Sequence, residues 1–214
     1  MPPTDRFVAR FAAEPPQDSL PYGQWAETLR AEFLGACLGI ETEDEDLGEP
    51  GEVIFYPDRT WNGRTYVPAT AETANGYELY GYVSFVPPTE GEDASDFAAS
   101  ADFTAETAAA NPDWQLDLCE DVIGVWRGEI GKVAAMTLVW GRPMVRGGLN
   151  VTAELADLAV DQCTLLEGRF TLIAPDNYRG DILDIKLFDR AGRELAHESL
   201  YEDDDGEDED DGEE

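Results

Sequence analysis

Apolar and polar residues alternate in three short runs between residues 52 and 88, and two Asn-Gly pairs separate the runs. Alternation with a period of two is typical of β-strands that bury one face. Asn-Gly accepts the two successive positive φ angles of a type I′ turn, which joins neighbouring antiparallel strands. The pattern therefore predicts a three-stranded antiparallel unit with tight turns at Asn62-Gly63 and Asn75-Gly76.

The two turns also predict the register of this unit, because a two-residue loop fixes which residues face each other. The predicted partners are Trp61 with Arg64, Phe55 with Thr70, Ala74 with Tyr77, and Tyr66 with Phe85. In this register one face of the unit carries a core set, Val53, Phe55, Tyr66, Leu79, Val83 and Phe85. The opposite face is rich in tyrosine and carries Ile54, Tyr56, Val67, Ala69, Ala71, Tyr80 and Tyr82.

Upstream of this unit the apolar spacing becomes helical. Pro21 suits the first turn of a helix, and Gly39 suits its end. Between them, large apolar residues recur every four positions, at Trp25, Leu29, Phe33 and Cys37. This spacing predicts one amphipathic helix over about residues 20–38 that packs on a sheet.

Further strand-like runs follow at 97–103, 114–118, 121–127, 132–140, 149–155, 158–164, 169–174, 182–188 and 194–201. The run 132–140 is nearly all apolar, so we expect a central strand that is covered on both faces. A short helix is expected between residue 104 and Asn111-Pro112. Many short strands with turn signals between them predict a mainly β fold, either an antiparallel β-sandwich or a partly open β-barrel.

The charge is strongly negative, with 47 acidic and 14 basic residues and a formal net charge of −33. Residues 202–214 are almost entirely acidic and are predicted to form a disordered C-terminal tail after a single domain of residues 1–201. So acidic a surface repels phosphate backbones and anionic lipids, which argues against nucleic acid or membrane partners. It fits either general solvation or attraction for a basic protein partner.

Motifs for catalysis or cofactors are missing from the sequence. The possible zinc ligands are Cys37, Cys119, Cys163 and His197, the only histidine, but none of them has the short spacings typical of zinc sites. The simpler interpretation is that the three cysteines are buried thiols of the core. Neither nucleotide-binding fingerprint occurs, and we expect no cofactor and no metal. No secretory signal or membrane-spanning run is visible in the sequence, so a cytoplasmic location is expected.

Two kinds of site stay open. A carboxylate pair for glycoside hydrolysis would come from Asp58, Asp102, Asp117 and Asp121. A binding surface would come from the tyrosine-rich face and its turn, with Tyr56, Trp61, Arg64, Tyr80 and Tyr82 as the candidate residues. The alternative is that the helix or a second sheet covers this face.

We therefore expect a non-catalytic acidic binding protein that engages a basic protein partner near the tyrosine-rich face. A small-ligand carrier with a barrel or cleft pocket is the second possibility, and a carboxylate-dependent hydrolase is the third. A cleft lined by tyrosines favours the carrier, whereas two buried carboxylates with raised pKa values favour the enzyme.

Overall fold

The computed structural model describes residues 25–42, 45–127, 133–178 and 180–200. These residues form helix α1 (Ala26–Cys37) and the strands β1 (Ile54–Phe55), β2 (Arg59–Trp61), β3 (Arg64–Glu72), β4 (Glu78–Val86), β5 (Ser95–Thr104), β6 (Leu116–Arg127), β7 (Val133–Pro143), β8 (Gly148–Leu155), β9 (Leu158–Thr164), β10 (Phe170–Asp176), β11 (Leu183–Asp189) and β12 (Glu194–Ser199). The start of the predicted helix, the turn between β6 and β7 and the predicted tail lie outside the described residues.

The strands form three antiparallel sheets. The first has the order β1-β3-β4-β5, with β2 also paired to β3; the second has the order β10-β7-β6 and the third β12-β11-β8-β9. The sheets are not closed into a barrel, so the mainly β, antiparallel sandwich prediction is confirmed and the barrel alternative is excluded.

The second sheet lies between the other two, because alternate residues of its strands enter two different cores. On β7, Leu138 and Trp140 pack against the first sheet, while Val139 packs against the third. On β10, Ile173 likewise packs against the first sheet and Leu172 against the third. The apolar run 132–140 thus contributes the central strand of the middle sheet, as predicted.

Helix α1 covers the outer face of the first sheet. Leu29 and Phe33 are fully buried against it, and Trp25 stacks near Phe85 and Phe97 at ring-centroid distances of 6.4 and 6.1 Å. The aromatic stripe predicted from the sequence is therefore the buried side of the helix. The molecule has four layers, in the order helix, first sheet, second sheet, third sheet.

A buried ion pair ties the three sheets together. Arg59 on β2 donates to both carboxylate oxygens of Asp161 on β9, at 2.7 and 2.6 Å. The same carboxylate accepts the backbone N–H of Ile173 on β10, at 2.9 Å. Removing one partner of such a pair leaves an uncompensated charge in the interior, so the contact is expected to fix how the sheets stack.

The predicted register of the first sheet is correct only near its first turn. Asn62 and Gly63 have φ angles of 50° and 78°, as a type I′ turn requires, and Trp61 pairs with Arg64. Further along, the observed partners are Ile54 with Thr70, Phe55 with Ala69, Thr65 with Phe85, and Tyr66 with Ser84, each shifted by one residue from the prediction.

The second Asn-Gly pair causes the shift between β3 and β4, because it lies in a three-residue loop. The backbone N–H of Thr73 bonds to the carbonyl of Tyr77 (2.8 Å), and only Gly76 has a positive φ angle. The Asn75 side chain instead donates to the Asp46 carbonyl (2.7 Å), in the acidic loop before β1. This contact holds Asn75 out of the conformation that a type I′ turn needs.

A shift of one residue exchanges the two faces of a strand. Tyr66 therefore joins the tyrosine-rich face, whereas Val67, Ala69 and Ala71 lie under the helix, which reverses the prediction for β3. Two smaller predictions are also corrected. Residues 107–110 form a turn rather than a helix, and the runs 114–118 and 121–127 belong to one long strand, β6, with a bulge between Val122 and Gly124.

Candidate binding cleft

The tyrosine-rich face of the first sheet is covered by the second sheet. Tyr56 and Tyr66 are buried, and Tyr82 meets Tyr66 edge to face at a centroid distance of 5.6 Å. Trp61 packs in the same core, so close to Gly124 of β6 that a Cβ atom there would lie 2.8 Å from its ring. Of the two possibilities that the sequence left open for this face, a binding surface or a face covered by a second sheet, the structure therefore shows a covered face.

Arg64 lies at the edge of this interface and its guanidinium is already engaged. It forms an ion pair with Asp96 and donates to the Asp96 carbonyl (2.6 Å) and to the Ser84 hydroxyl (3.2 Å). Among the five predicted binding residues, Tyr80 alone lines the acidic cleft described next, and Tyr56 borders a neighbouring cavity. A binding role for all five stays a prediction.

A cleft opens where β5 ends and β6 begins, and we call it the Glu78 cleft. Its volume is about 190 Å³. Four carboxylate residues and two aromatic residues line it, and no lysine or arginine does. Its lining residues are Glu78, Tyr80, Thr104, Glu106, Trp114, Asp117, Leu118, Cys119 and Glu120.

Strand alternation brings this lining together. Glu78 lies at the start of β4, two positions before Tyr80, so both side chains leave the same face of the first sheet. Asp117 lies near the start of β6 in the second sheet. Stacking of the two sheets then places these carboxylates beside each other, although 39 residues of sequence separate them.

The polar contacts in the cleft leave much of its negative charge uncompensated. Asp117 is paired with Arg142 on β7, at 2.8 Å. Glu78 is only 8% exposed, and one of its oxygens has the weak Cys119 thiol as a partner, at 3.9 Å. One carboxylate oxygen of Glu120 is buried and has no hydrogen-bond partner among the described residues.

Burial and crowding of like charges raise the pKa values of two carboxyl groups in the cleft. Burial raises the pKa of Glu78 to about 7, and the neighbouring Asp117 contributes in the same direction against the opposing effect of Arg142. Burial likewise raises the pKa of Glu120 to about 7, with Asp176 and Asp121 adding to it. Both groups therefore change charge near neutral pH.

Two larger cavities adjoin this region. One, of about 430 Å³, shares Glu78 with the cleft and also includes Glu72 and Arg142. The other, of about 450 Å³, includes Arg142, Tyr56 and Arg169, whose guanidinium donates to the Phe55 carbonyl at 2.6 Å. Arg142 thus lines both larger cavities, whose charge is mixed, whereas no basic residue lines the Glu78 cleft.

The cysteines are the other residues that could supply chemistry, and burial makes their thiols hard to ionise. All three cysteines are free, and burial raises the pKa of Cys37 to about 11, that of Cys163 to about 12 and that of Cys119 well above its usual value. These thiols are therefore poor nucleophiles at neutral pH. Within the described ranges, no group of three or more His, Cys, Asp or Glu side chains is arranged to hold a metal ion.

Of the four aspartates considered for a carboxylate pair, Asp102 and Asp121 lie close to each other: burial raises the pKa of Asp121, and the charge of Asp102 adds to this effect. Asp117 lies in the Glu78 cleft, where its carboxylate neighbour is Glu78. Asp121 accepts a hydrogen bond from Ser100 at 3.1 Å, Asp102 is exposed on β5, and Asp58 is buried before β2. Sequence reasoning missed Glu78, although its position on the same face as Tyr80 and Tyr82 was a usable signal.

The comparisons with known proteins give no family: the chain matches no family model, no curated protein and no solved structure. No helix in the described part of the chain is long and apolar enough to cross a membrane.

Proposed function

We propose that this chain is a non-catalytic binding protein that takes up a lysine or arginine side chain of a basic protein segment in the Glu78 cleft. The observation that carries the proposal is the lining of the cleft, with four carboxylate residues, two aromatic residues and no basic residue. An organic cation is the ligand class that such a lining recognises.

The geometry fits a cation on an apolar stem. Tyr80 and Trp114 supply ring surface for the methylene groups and for the charge, and Glu78 and Glu120 supply acceptors. Burial is the main cause of the raised pKa of both glutamates, and neighbouring carboxylates add to it. A bound cation favours the ionised form of both groups, so ligand binding and ionisation support each other.

The overall charge supports a basic protein as the source of this cation. An excess of 33 negative charges attracts basic segments over distances that direct contacts do not reach, and raises the association rate at low ionic strength. The cleft would then fix one side chain of the segment, while the rest of the surface supplies attraction without specificity.

The experiment is a titration with a fluorescent peptide in which arginine alternates with serine, at pH 8 and low salt. The test variant replaces Glu78 and Glu120 together with glutamine. The control variant replaces Glu27 and Glu32, which are exposed on α1, and so changes the net charge equally. We expect affinity to fall about tenfold or more in the test variant and less than about twofold in the control.

Equal losses in both variants would contradict the proposal, because they would show that only net charge matters. Free spermidine, used as a competitor, distinguishes a protein-borne cation from a small amine. Strong competition at concentrations comparable to the peptide would favour the small-ligand carrier instead.

A carboxylate-dependent hydrolase is a second candidate, favoured by the single observation that Glu78, with a pKa of about 7, lies beside Asp117. A carboxylic acid with a raised pKa beside a second carboxyl group, here one paired with Arg142, is the kind of arrangement that glycoside hydrolysis uses. Release of nitrophenol from aryl glycosides by the native protein, abolished in Glu78→Gln, would support this function. If the native protein releases nitrophenol from none of these glycosides, the hydrolase function is excluded and the binding function is favoured.

A further inference from the structure

The cavity of about 450 Å³ beside β1 differs in character from the Glu78 cleft, and we call it the Arg169 cavity. Two arginines line it, Arg142 and Arg169, in a chain that has only 14 basic residues. Its volume lies in the range of sites for small organic ligands. The other lining residues are Glu52, Val53, Ile54, Phe55, Tyr56, Glu167 and Gly168.

Strand pairing brings the two arginines side by side. Strands β7 and β10 are antiparallel, and the last pair at this end is Gly141 with Phe170. The next position along both strands is Arg142 and Arg169. Strand alternation puts Arg142 on the same face as Trp140, which packs toward the first sheet. Both guanidinium groups therefore lie between the end of the second sheet and β1.

The two guanidinium groups differ in how fully they are engaged. Arg169 donates to the Phe55 carbonyl at 2.6 Å and to the carboxylate of Glu167 at 2.9 Å. Arg142 uses its Nε for the bond to Asp117 at 2.8 Å, and within the described ranges its two terminal nitrogens have no hydrogen-bond partner. Its side chain is 40% exposed, so these donors are available to a ligand in the cavity. The planar fork of a guanidinium group matches a carboxylate.

The rest of the lining restricts which anion fits. Val53, Phe55 and Tyr56 are buried residues and give the cavity an apolar wall. Glu52 and Glu167 are exposed, and their negative charges disfavour an anion with more than one charge, such as a phosphate. A monovalent carboxylate on an apolar body satisfies both conditions.

We propose that the Arg169 cavity binds a small organic carboxylate. The carboxylate group lies on the terminal nitrogens of Arg142 beside Arg169, and the apolar body lies against Val53, Phe55 and Tyr56. A free carboxylic acid and the carboxyl terminus of a peptide present the same group. The cavity shares no lining residue with the Glu78 cleft, so this inference goes beyond the proposed function and does not depend on it.

The test is a titration of the full-length native protein with 3-phenylpropionate, followed by NMR at constant ionic strength. The neutral 3-phenylpropanamide and inorganic phosphate are the comparison ligands. We expect the carboxylate to bind at least about tenfold more tightly than either of them. These comparisons need no variant, so they stay decisive if a substitution disturbs the fold.

A tripeptide of two alanines and a C-terminal phenylalanine, with a free or an amidated terminus, distinguishes the two sources. If the free-terminus tripeptide binds more tightly than 3-phenylpropionate, a chain terminus is the source, and if it binds more weakly, a free acid is. Both results support a carboxylate site as long as amidation abolishes binding of the tripeptide.

Two variants locate the site. Ile54→Glu adds a negative charge to the lining and should weaken carboxylate binding about fivefold or more. The matched control is Val86→Glu, because Val86 has the same exposure of 37% and does not line the cavity; its loss should be less than about twofold. Arg142→Lys keeps the charge beside Asp117 but removes the fork, and should weaken binding about tenfold.

Absence of binding of 3-phenylpropionate to the native protein would overturn the inference. Equal affinities for the carboxylate and its amide would do the same, because they would show that the arginines take no part. Tighter binding of phosphate would contradict the ligand class, and equal losses in Ile54→Glu and Val86→Glu would place the site elsewhere.

Discussion

The burial of Glu78 makes a prediction about stability that can be worked out from the structure. This carboxyl group is 8% exposed, and its pKa is raised from 4.5 to about 7, first by burial and then by Asp117. A tenfold change in proton affinity corresponds to about 1.4 kcal/mol. The shift from 4.5 to about 7 therefore means that ionising Glu78 costs on the order of 3 kcal/mol more in the folded protein than in the unfolded chain.

The sign follows from the two pKa values. Because the folded pKa is the higher one, the folded state binds more protons between pH 4.5 and about 7, and the contribution of Glu78 to stability falls as pH rises through this window. Replacing Glu78 with glutamine removes the ionisation and keeps the shape of the protonated acid. We therefore expect Glu78→Gln to match the native protein near pH 4.5 and to be about 3 kcal/mol more stable at pH 8.

The assay is urea denaturation followed by tryptophan fluorescence at several pH values between 4.5 and 8. For a domain of this size, the expected gain at pH 8 corresponds to roughly 6–12 °C in melting temperature. The control is Glu32→Gln on the exposed side of α1, which removes one negative charge without changing a buried group. A Glu78→Gln protein that is less stable than the native one at pH 8 would refute the reasoning.

Two further predictions concern the stability of the turns and of the stacked sheets. Gly63→Val and Gly76→Val should each destabilise the fold by about 1–2 kcal/mol in the same denaturation assay, because the two glycines have positive φ angles of 78° and 86°. No atom lies near enough to either glycine to clash with a side chain, so the loss would come from the backbone conformation alone. Unchanged midpoints in both variants would contradict this. Asp161→Asn should cost about 3–5 kcal/mol, since it leaves the charge of Arg59 buried without its partner, and a loss below about 1 kcal/mol would show that the sheets stack without this ion pair.

Local sequence signals predicted the elements of this fold well. The apolar run 132–140 predicted the central strand, and Asn62-Gly63 predicted the first turn, because both depend on properties of neighbouring residues. The second Asn-Gly pair failed because a distant contact decides its conformation, namely the bond from Asn75 to the carbonyl of Asp46. This contact accounts for the shift of one residue between β3 and β4.

The candidate site was harder to predict from the sequence than the strands and turns were. Asp117 was recognised as a candidate carboxylate, but its neighbour Glu78 comes from a different sheet, and stacking of sheets leaves no fixed spacing in the sequence. The tyrosine-rich face was recognised too, but its exposure depends on whether another layer covers it. The second sheet does so, which leaves Tyr80 at the opening of the acidic cleft.

The most direct test of the proposed binding function is calorimetric titration of the native protein with the arginine-containing peptide at pH 6, pH 7 and pH 8. Because Glu78 and Glu120 have pKa values of about 7, cation binding should release protons at pH 7 and strengthen about tenfold or more from pH 6 to pH 8. Proton release should disappear in Glu78→Gln/Glu120→Gln. An affinity that is equal at pH 6 and pH 8, without proton release, would contradict binding in the Glu78 cleft.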